Sequence, residues 1–355
     1  MSYRVVVWGP GNVGAPALRT VVANPQLELC GVIVHSPEKE GRDAGELVGL
    51  PPTGVIATRD AKAALLDRPD ALFYGVNQDF RPEESIQEML GALESGISVV
   101  TAGLYGLLHP ATADPALRQR FEAACQRGSS SFLASGIDPG FAMDLLPVVL
   151  SGLCEEIREI RIVENFNYAT YHVPEAVKTI IGFGSPMDQT PPMLLPGIPK
   201  RVWGGALHGL AQALGLEISE IREVIERHPL EKTVELPIGR FEAGTQGAFR
   251  FEVQGIVGDR PVLVVEHITR IIDDTAPQWP RANGLGHHQV RISGRPDMVL
   301  TLESEDEHGD RAAGGNASAA ARLVNAIPWL CEASPGLVSG ADLPLIAGRG
   351  LVRTI

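Results

Sequence analysis

The stretch VVVWGPGNVG, residues 5–14, carries three glycines spaced G-x-G-x-x-G at the end of an apolar, β-branched run. Such a spacing serves either a tight strand-to-helix turn or a cradle for nucleotide phosphates, and its setting decides between them. Here it follows a strand pattern and opens a helical one inside a βαβ unit, the context in which the motif binds a dinucleotide. Gly9 permits the turn, Gly11 lets the backbone approach a pyrophosphate, and Gly14 lets the helix pack on the sheet. With Asn12 and Val13 they form the cradle, and the start of the helix offers N–H groups to the anion.

The second question is which dinucleotide. Folds that bind NAD place Asp or Glu roughly 20 residues further on, to accept the ribose 2′-hydroxyl. At that point the chain reads GVIVHSPEKEGRD: His35 and Ser36 stand at the strand end, with Lys39 and Arg42 just beyond. These groups suit a 2′-phosphate, so NADP is expected, with NAD the alternative; Glu38 and Glu40 leave a plain solvated loop open as well. Further cofactor contacts are expected at the carboxyl ends of later strands, from Gly75, Val76 and Asn77 and from Thr101, Ala102 and Gly103, with residues 135–140 completing the edge.

Hydride transfer to a carbonyl or imine carbon also needs a proton donor for the oxygen or nitrogen. Tyr105 is the first choice. Glu164 is the second, followed by Tyr168, both in VENFNYATYH, which also holds Tyr171 and His172. A tyrosine donates once a neighbouring cation or hydrogen bond polarises it, and a histidine titrates near neutrality unaided. His109 and His208 read as structural. Glu266-His267 and His287-His288 fall on strand patterns, where adjacent residues point to opposite faces, so neither pair chelates a metal as a unit. The cysteines, Cys30, Cys125, Cys154 and Cys331, are scattered singly without a C-x-x-C pair, and no metal site is expected.

These residues must be positioned by two kinds of architecture. The first 140 residues alternate apolar strands (3–8, 27–34, 71–76, 97–101, 130–134) with helices (12–23, 60–66, 82–95 and one closing at Gly128). That rhythm implies a Rossmann-type, doubly wound parallel sheet covered on both faces. After residue 140 the strands lengthen: 157–166, a hairpin over 253–271 turning at Gly258-Asp259, then 289–292 and 298–302. Helices are expected near 205–214 and 218–227, a proline-rich loop over 187–199, and an alanine-rich helix over 311–326. Asp138 and Pro139 have the chemistry of a helix cap and first turn. The expected fold is therefore α/β, with a dinucleotide-binding domain over 1–140 and an α+β domain over 141–310 built on an open, mainly antiparallel sheet. Residues 311–355 form a closing segment.

Composition narrows the partners. The chain has 355 residues, 44% hydrophobic and 21% charged, enough for two domains. A net charge of −13 opposes nucleic acid or an anionic membrane as the main partner and leaves a small-molecule substrate. No apolar stretch reaches the about 18 residues of a membrane span, and a strand begins almost at once without a basic leader, so a soluble cytoplasmic protein is expected. The uncovered face of the second sheet suggests a homodimer through roughly residues 240–305.

The glycine loop, LASGIDPGFAMDLLP and VNAIPWLCEASPGLVSGADLP together resemble the 2,4-diaminopentanoate dehydrogenase family. That family includes the native amine dehydrogenases and is distantly similar to dihydrodipicolinate reductase. The resemblance implies a Rossmann domain, a substrate domain that also forms a dimer, and a C-terminal segment returning to the Rossmann domain, where Asn325 would bond the cofactor carboxamide. It implies interconversion of an amine and a carbonyl by hydride transfer with NAD(P). The chain departs from the pattern in two places. Amine-forming members carry Glu-Glu shortly after the strand that here is SVVT, whereas AGLYGLLHP has no carboxylate between Thr101 and Asp114. His287-His288 is similar to the paired histidines of dihydrodipicolinate reductase, but the lysine-containing motif that should follow is missing, so the pair is expected to be structural. The expected activity is hydride transfer to a C=O or C=N carbon of a small, fairly hydrophobic substrate. The alternatives are an amine dehydrogenase with a relocated acid, and a catalytically inactive NADP-binding sensor or partner protein.

Overall fold

The chain divides into two units, Met1–Phe141 with Asn316–Ile355 and Ala142–Gly315; the computed structural model describes residues 2–78, 81–171, 174–282 and 284–352. In the first unit, β1 (Tyr3–Trp8), β2 (Leu27–Ile33), β3 (Ala57–Thr58), β4 (Ala71–Tyr74), β5 (Ser98–Thr101), β6 (Ser131–Ala134) and β15 (Gly336–Val338) form one parallel sheet. Its order is β15-β6-β5-β4-β1-β2-β3. The order reverses between β1 and β4, the switch point where open α/β sheets leave a crevice for ligands.

Alternate residues of β1 show why the sheet needs helices on both sides. Val5 and Val7 are buried with Leu18 and Val21 of α1 (Gly14–Ala23) and Leu323, Val324 and Ile327 of α8 (Arg311–Glu332). Val6 and Trp8 face the other way, onto Met89 and Leu93 of α3 (Pro82–Glu94) and Phe121 of α4 (Pro115–Gly128). Starts of helices follow local chemistry. Asp60 accepts from Ala63 N at 2.9 Å to open α2 (Ala61–Leu65), and Asp114 accepts from Leu117 N at 2.9 Å ahead of Pro115. The C-terminal residues return to this unit, α8 covering β1 and β15 adding the strand beside β6.

The second unit holds α5 (Leu145–Ser151), β7 (Glu156–Asn167), α6 (Pro174–Thr179), α7 (Ile198–Leu214), β8 (Glu220–Pro229), the small hairpin β9 (Val234–Leu236) and β10 (Gly239–Phe241), then β11 (Gln246–Val257), β12 (Arg260–Arg270), β13 (Gly286–Arg295) and β14 (Met298–Leu302). Six of these strands make a mixed sheet, β14-β13-β7-β12-β11-β8, in which only β7 and β12 run parallel. On one face Ile160 and Ile162 meet Trp203, Leu207 and Leu210 of α7 in a core rich in phenylalanine. The other face carries charge: Arg161 and Arg250 each bond Glu252 and Glu266 at 2.7–2.8 Å.

Two local expectations are corrected. Residues 218–227, expected as a helix, lie largely in β8, which pairs antiparallel with β11 along its length. Ile221, Val224 and Ile225 satisfy i, i+3, i+4, which suits a helix; strand pairing decides otherwise, and from Glu220 to Arg227 exposed even-numbered residues alternate with half-buried odd ones. Asp138 caps no helix. Residues 136–141 make a tight turn closed by the Ile137–Gly140 bridge and by Phe141 N donating to Gly136 O at 2.9 Å. The cap of α5 is Asp144, which accepts from Leu145 N.

Candidate active site

The glycine loop meets each demand placed on it. Gly9 has φ 81°, in the left-handed region, and its N donates to Ile33 O at 2.9 Å, closing the turn. A Cβ on Gly14 would lie 2.0 Å from Gly9 O, so α1 starts against the backbone of the turn itself. A Cβ on Gly11 would meet nothing within 4 Å, which is the open approach a pyrophosphate requires. Asn12 and Val13 complete the loop, and no side chain caps the start of α1, where Ala15 N donates to Gly11 O at 2.7 Å and the next residue, Pro16, carries no N–H. Gly75 and Val76 pack directly against Gly9, and Gly75 N donates to Trp8 O at 2.8 Å; Asn77 follows at the same sheet edge. These residues fit a dinucleotide.

At the end of β5, buried Thr101 Oγ1 donates to Tyr74 O at 2.9 Å and accepts from Gly103 N at 3.1 Å, with Ala102 between them. Gln78 Nε2 donates to the same hydroxyl at 3.1 Å, tying the ends of β4 and β5 together. Nothing in the spacing of Gln78 along the chain marks it for this place. Tyr105 opens a single 3-10 turn, Tyr105–Leu107, half-buried just after Leu104, whose φ of 57° swings the chain.

Around the tip of β2 the expected groups are gathered but differ in availability. His35 is exposed, and Lys39 Nζ reaches back to Pro10 O at 2.9 Å, beside the cradle. Ser36 gives its hydroxyl to Glu38. Asn325 stands elsewhere: its side-chain oxygen accepts from Asn24 Nδ2 at 3.3 Å, at the far end of α1. A helix of that length separates it from the glycine loop by about 15 Å.

The second unit supplies a different kind of site. Glu164 sits on β7 between β12 and β13, and the strand registers set His267 opposite it on one side and His288 on the other. Its Oε1 lies 3.3 Å from His267 Nδ1, and its Oε2 3.7 Å from His288 Nε2. Burial pushes the Glu164 carboxyl up. The charge and hydrogen bond of His267 and then those of His288 outweigh it, holding the group well below the ordinary carboxylate range. Aromatic rings fix the histidines: His267 stacks on Phe251 at 4.6 Å and tilts against Trp203 at 4.4 Å, and His288 lies 5.2 Å from Phe166. Burial and the Glu164 charge raise the Tyr171 phenol, so its proton is retained. Tyr168 packs its ring against Tyr171 and Phe183 beside the core. His172 lies outside the described residues.

His267 and His288 are the functional candidates that alternation along a single strand passes over. Alternation does send their neighbours to the opposite face, where Glu266 bonds Arg161 and Arg250. Strand pairing then brings one histidine from each pair onto the same carboxylate. Only the register, which needs three strands from distant parts of the chain, reveals that row.

A doubly wound sheet with this cradle defines a nicotinamide-dependent oxidoreductase, and the comparisons with known proteins agree. The profile of the 2,4-diaminopentanoate dehydrogenase C-terminal domain matches residues 141–352, and that of the dihydrodipicolinate reductase N-terminus matches residues 3–103. An amine dehydrogenase of Streptomyces virginiae is 50% identical over 344 residues, 96% of each chain. The 2,4-diaminopentanoate dehydrogenase of Acetoanaerobium sticklandii is 23% identical over 96% of this chain and 93% of its own. The solved amine dehydrogenase of Mycobacterium smegmatis has the same fold, with a TM-score of 0.78, 20% identity and 99% of both chains covered. The chain belongs to the 2,4-diaminopentanoate dehydrogenase family.

Proposed function

We propose that this protein is an NADP-preferring amine dehydrogenase that interconverts a small, fairly hydrophobic carbonyl compound plus ammonia with the corresponding primary amine. The observation that carries the reading is Glu164: a largely covered carboxylate kept ionised between two histidines, in a chain half identical to an amine dehydrogenase. It is the relocated acid that stands in for the carboxylate missing from the Thr101–Asp114 loop. Bound at the glycine loop, the cofactor supplies the hydride. In the reductive direction, ammonia adds to the carbonyl carbon to give a carbinolamine. A proton delivered to its hydroxyl releases water and leaves a protonated C=N group, and the carbon of that group takes the hydride to give the amine. Ionised Glu164 attracts the ammonium ion, takes one proton from it to free the ammonia that adds, and returns that proton to the departing hydroxyl. His267 and His288 flank the carboxylate on either side and hold it in place.

Preference for NADP rests on the end of β2, where His35 and Lys39 stand in place of an acid. Four free cysteines suit a reducing compartment, and we place the protein in the cytoplasm. Among the described residues no helix is long and apolar enough to cross a membrane. The sheet face bearing Arg161 and Arg250 supports a homodimer through residues 240–305, to be checked by sedimentation.

A reductase that needs no ammonia, with Tyr105 as donor, is the competing reading, favoured by the carboxylate-free loop after β5. NADPH oxidation with a panel of small ketones and aldehydes, with and without ammonia, separates the two. Turnover that requires ammonia supports the proposal; equal rates without it support the reductase.

A further inference from the structure

The cluster beside the tip of β2 contains a cation that no motif announces. Arg81 immediately precedes α3, 46 positions after His35, yet its Nη1 donates to His35 Nε2 at 2.5 Å. The other prong is anchored: Nη2 bonds Glu88 Oε1 at 2.8 Å, and Glu88 Oε2 accepts from Tyr74 OH at 2.5 Å. Tyr74 is wholly buried, and its ring meets Trp8, the residue before Gly9, at 5.5 Å. A rigid chain of contacts therefore runs from the core under the glycine loop out to one guanidinium. Burial and the bond to Glu88 raise the Tyr74 phenol, so this link keeps its proton.

The end of β2 is where a dinucleotide's ribose 2′ substituent falls, and an arginine nearby is what accommodates a 2′-phosphate. A guanidinium suits that anion better than an ammonium, because its planar fork donates two bonds in fixed directions. Glu88 takes one edge of Arg81 and leaves the edge at His35 facing the strand tip. The other anion in the cluster, Glu38, is fully exposed and engages Ser36. Lys39, held at Pro10 O, is the second cation within the same neighbourhood.

We infer that Arg81 is the residue that sets cofactor specificity by binding the 2′-phosphate of NADP, and that Glu88 is the positioning residue that aims it. This inference rests on the proposed preference for NADP. It assigns the selectivity to Arg81 with Lys39 in support and removes it from Ser36, whose hydroxyl Glu38 occupies.

Binding alone tests it. NADPH and NADH are titrated by nicotinamide fluorescence against the wild type, Arg81→Ala, Arg81→Lys and Glu88→Gln. The expected result is a loss of NADPH affinity of roughly 10- to 100-fold in Arg81→Ala while NADH affinity stays within about twofold, which also shows that the variant is folded. Arg81→Lys restores part of the loss, and Glu88→Gln shows a smaller loss, again confined to NADPH. A variant Arg81→Ala that weakens both cofactors alike, or that keeps the wild-type preference, overturns the assignment. A wild type that binds both cofactors equally overturns the preference for NADP itself, which is a separate and recognisable result.

Discussion

The cradle in the first unit and the carboxylate row in the second are both sites, but they are encoded differently. The cradle is contiguous: ten residues contain the strand end, the turn and the helix start, and each glycine answers one steric demand. The row is assembled from β7, β12 and β13, whose members Glu164, His267 and His288 meet only because the registers align them. A site written locally declares itself by spacing. A site written across a sheet stays silent until the strands are paired, because alternation states which face a residue takes but not which neighbours it finds there.

That contrast can be broken from either side. The largest effect is expected at Gly14→Ala, where the new Cβ would fall 2.0 Å from Gly9 O and backbone must move. The variant should lose about 1–3 kcal/mol of stability and most of its NADPH affinity, read by thermal melting and fluorescence titration. Gly11→Ala, whose Cβ enters open space, should fold like the wild type and weaken the cofactor only. If both variants bind NADPH normally, the loop is a turn and not a cradle.

The next effect concerns pH. Glu164 has its folded pKa depressed by His267 and His288 against the opposing push of burial. Removing one histidine by His288→Ala leaves burial less opposed, so the carboxyl rises and the acid limb of the kcat/KM profile moves to higher pH. The sign for stability follows: a depressed carboxyl contributes stability that is present above its unfolded value and lost as pH falls through the folded one. His288→Ala should therefore lose more stability at neutral pH than in strong acid. His288→Asn, which keeps a donor, should recover part of the shift. A profile unmoved by either change would remove the histidines from the account.

The smallest effect is expected at Tyr105. With the proton work done by Glu164, Tyr105→Phe should change kcat by less than about threefold, against the roughly 100-fold loss or more that a proton donor's removal brings. A loss on that larger scale returns the role to the loop after β5 and favours the reductase.

Much of the fold is legible in the sequence because the first unit repeats one pattern, apolar strands buried on both faces between capped helices. Val5, Val6 and Val7, three consecutive branched apolar side chains, are all fully buried, as a strand covered on both sides requires. The hairpin at Gly258-Asp259 is equally plain, with β11 and β12 meeting across it. Elsewhere one local pattern fits two structures: in β8, Ile221 and Ile225 satisfy both periods, and only pairing with β11 decides. Asp138 carries a cap's chemistry without a helix to cap, since the chain turns back at Gly140. Asn325 lies on the expected helix, yet its place along that helix puts its amide on Asn24. Arg81 has no signal at all in the sequence, because its meaning comes from a contact with His35 across two strand ends.

The central claim is that Glu164 carries the proton chemistry of an ammonia-dependent reaction. The most direct measurement is single-turnover NADPH oxidation with a ketone substrate at saturating ammonia, in the wild type and in Glu164→Gln, with NADPH affinity measured alongside. The account predicts that the variant binds NADPH as the wild type does and reacts roughly 100-fold more slowly or worse. An unchanged rate in Glu164→Gln at equal NADPH affinity would contradict it.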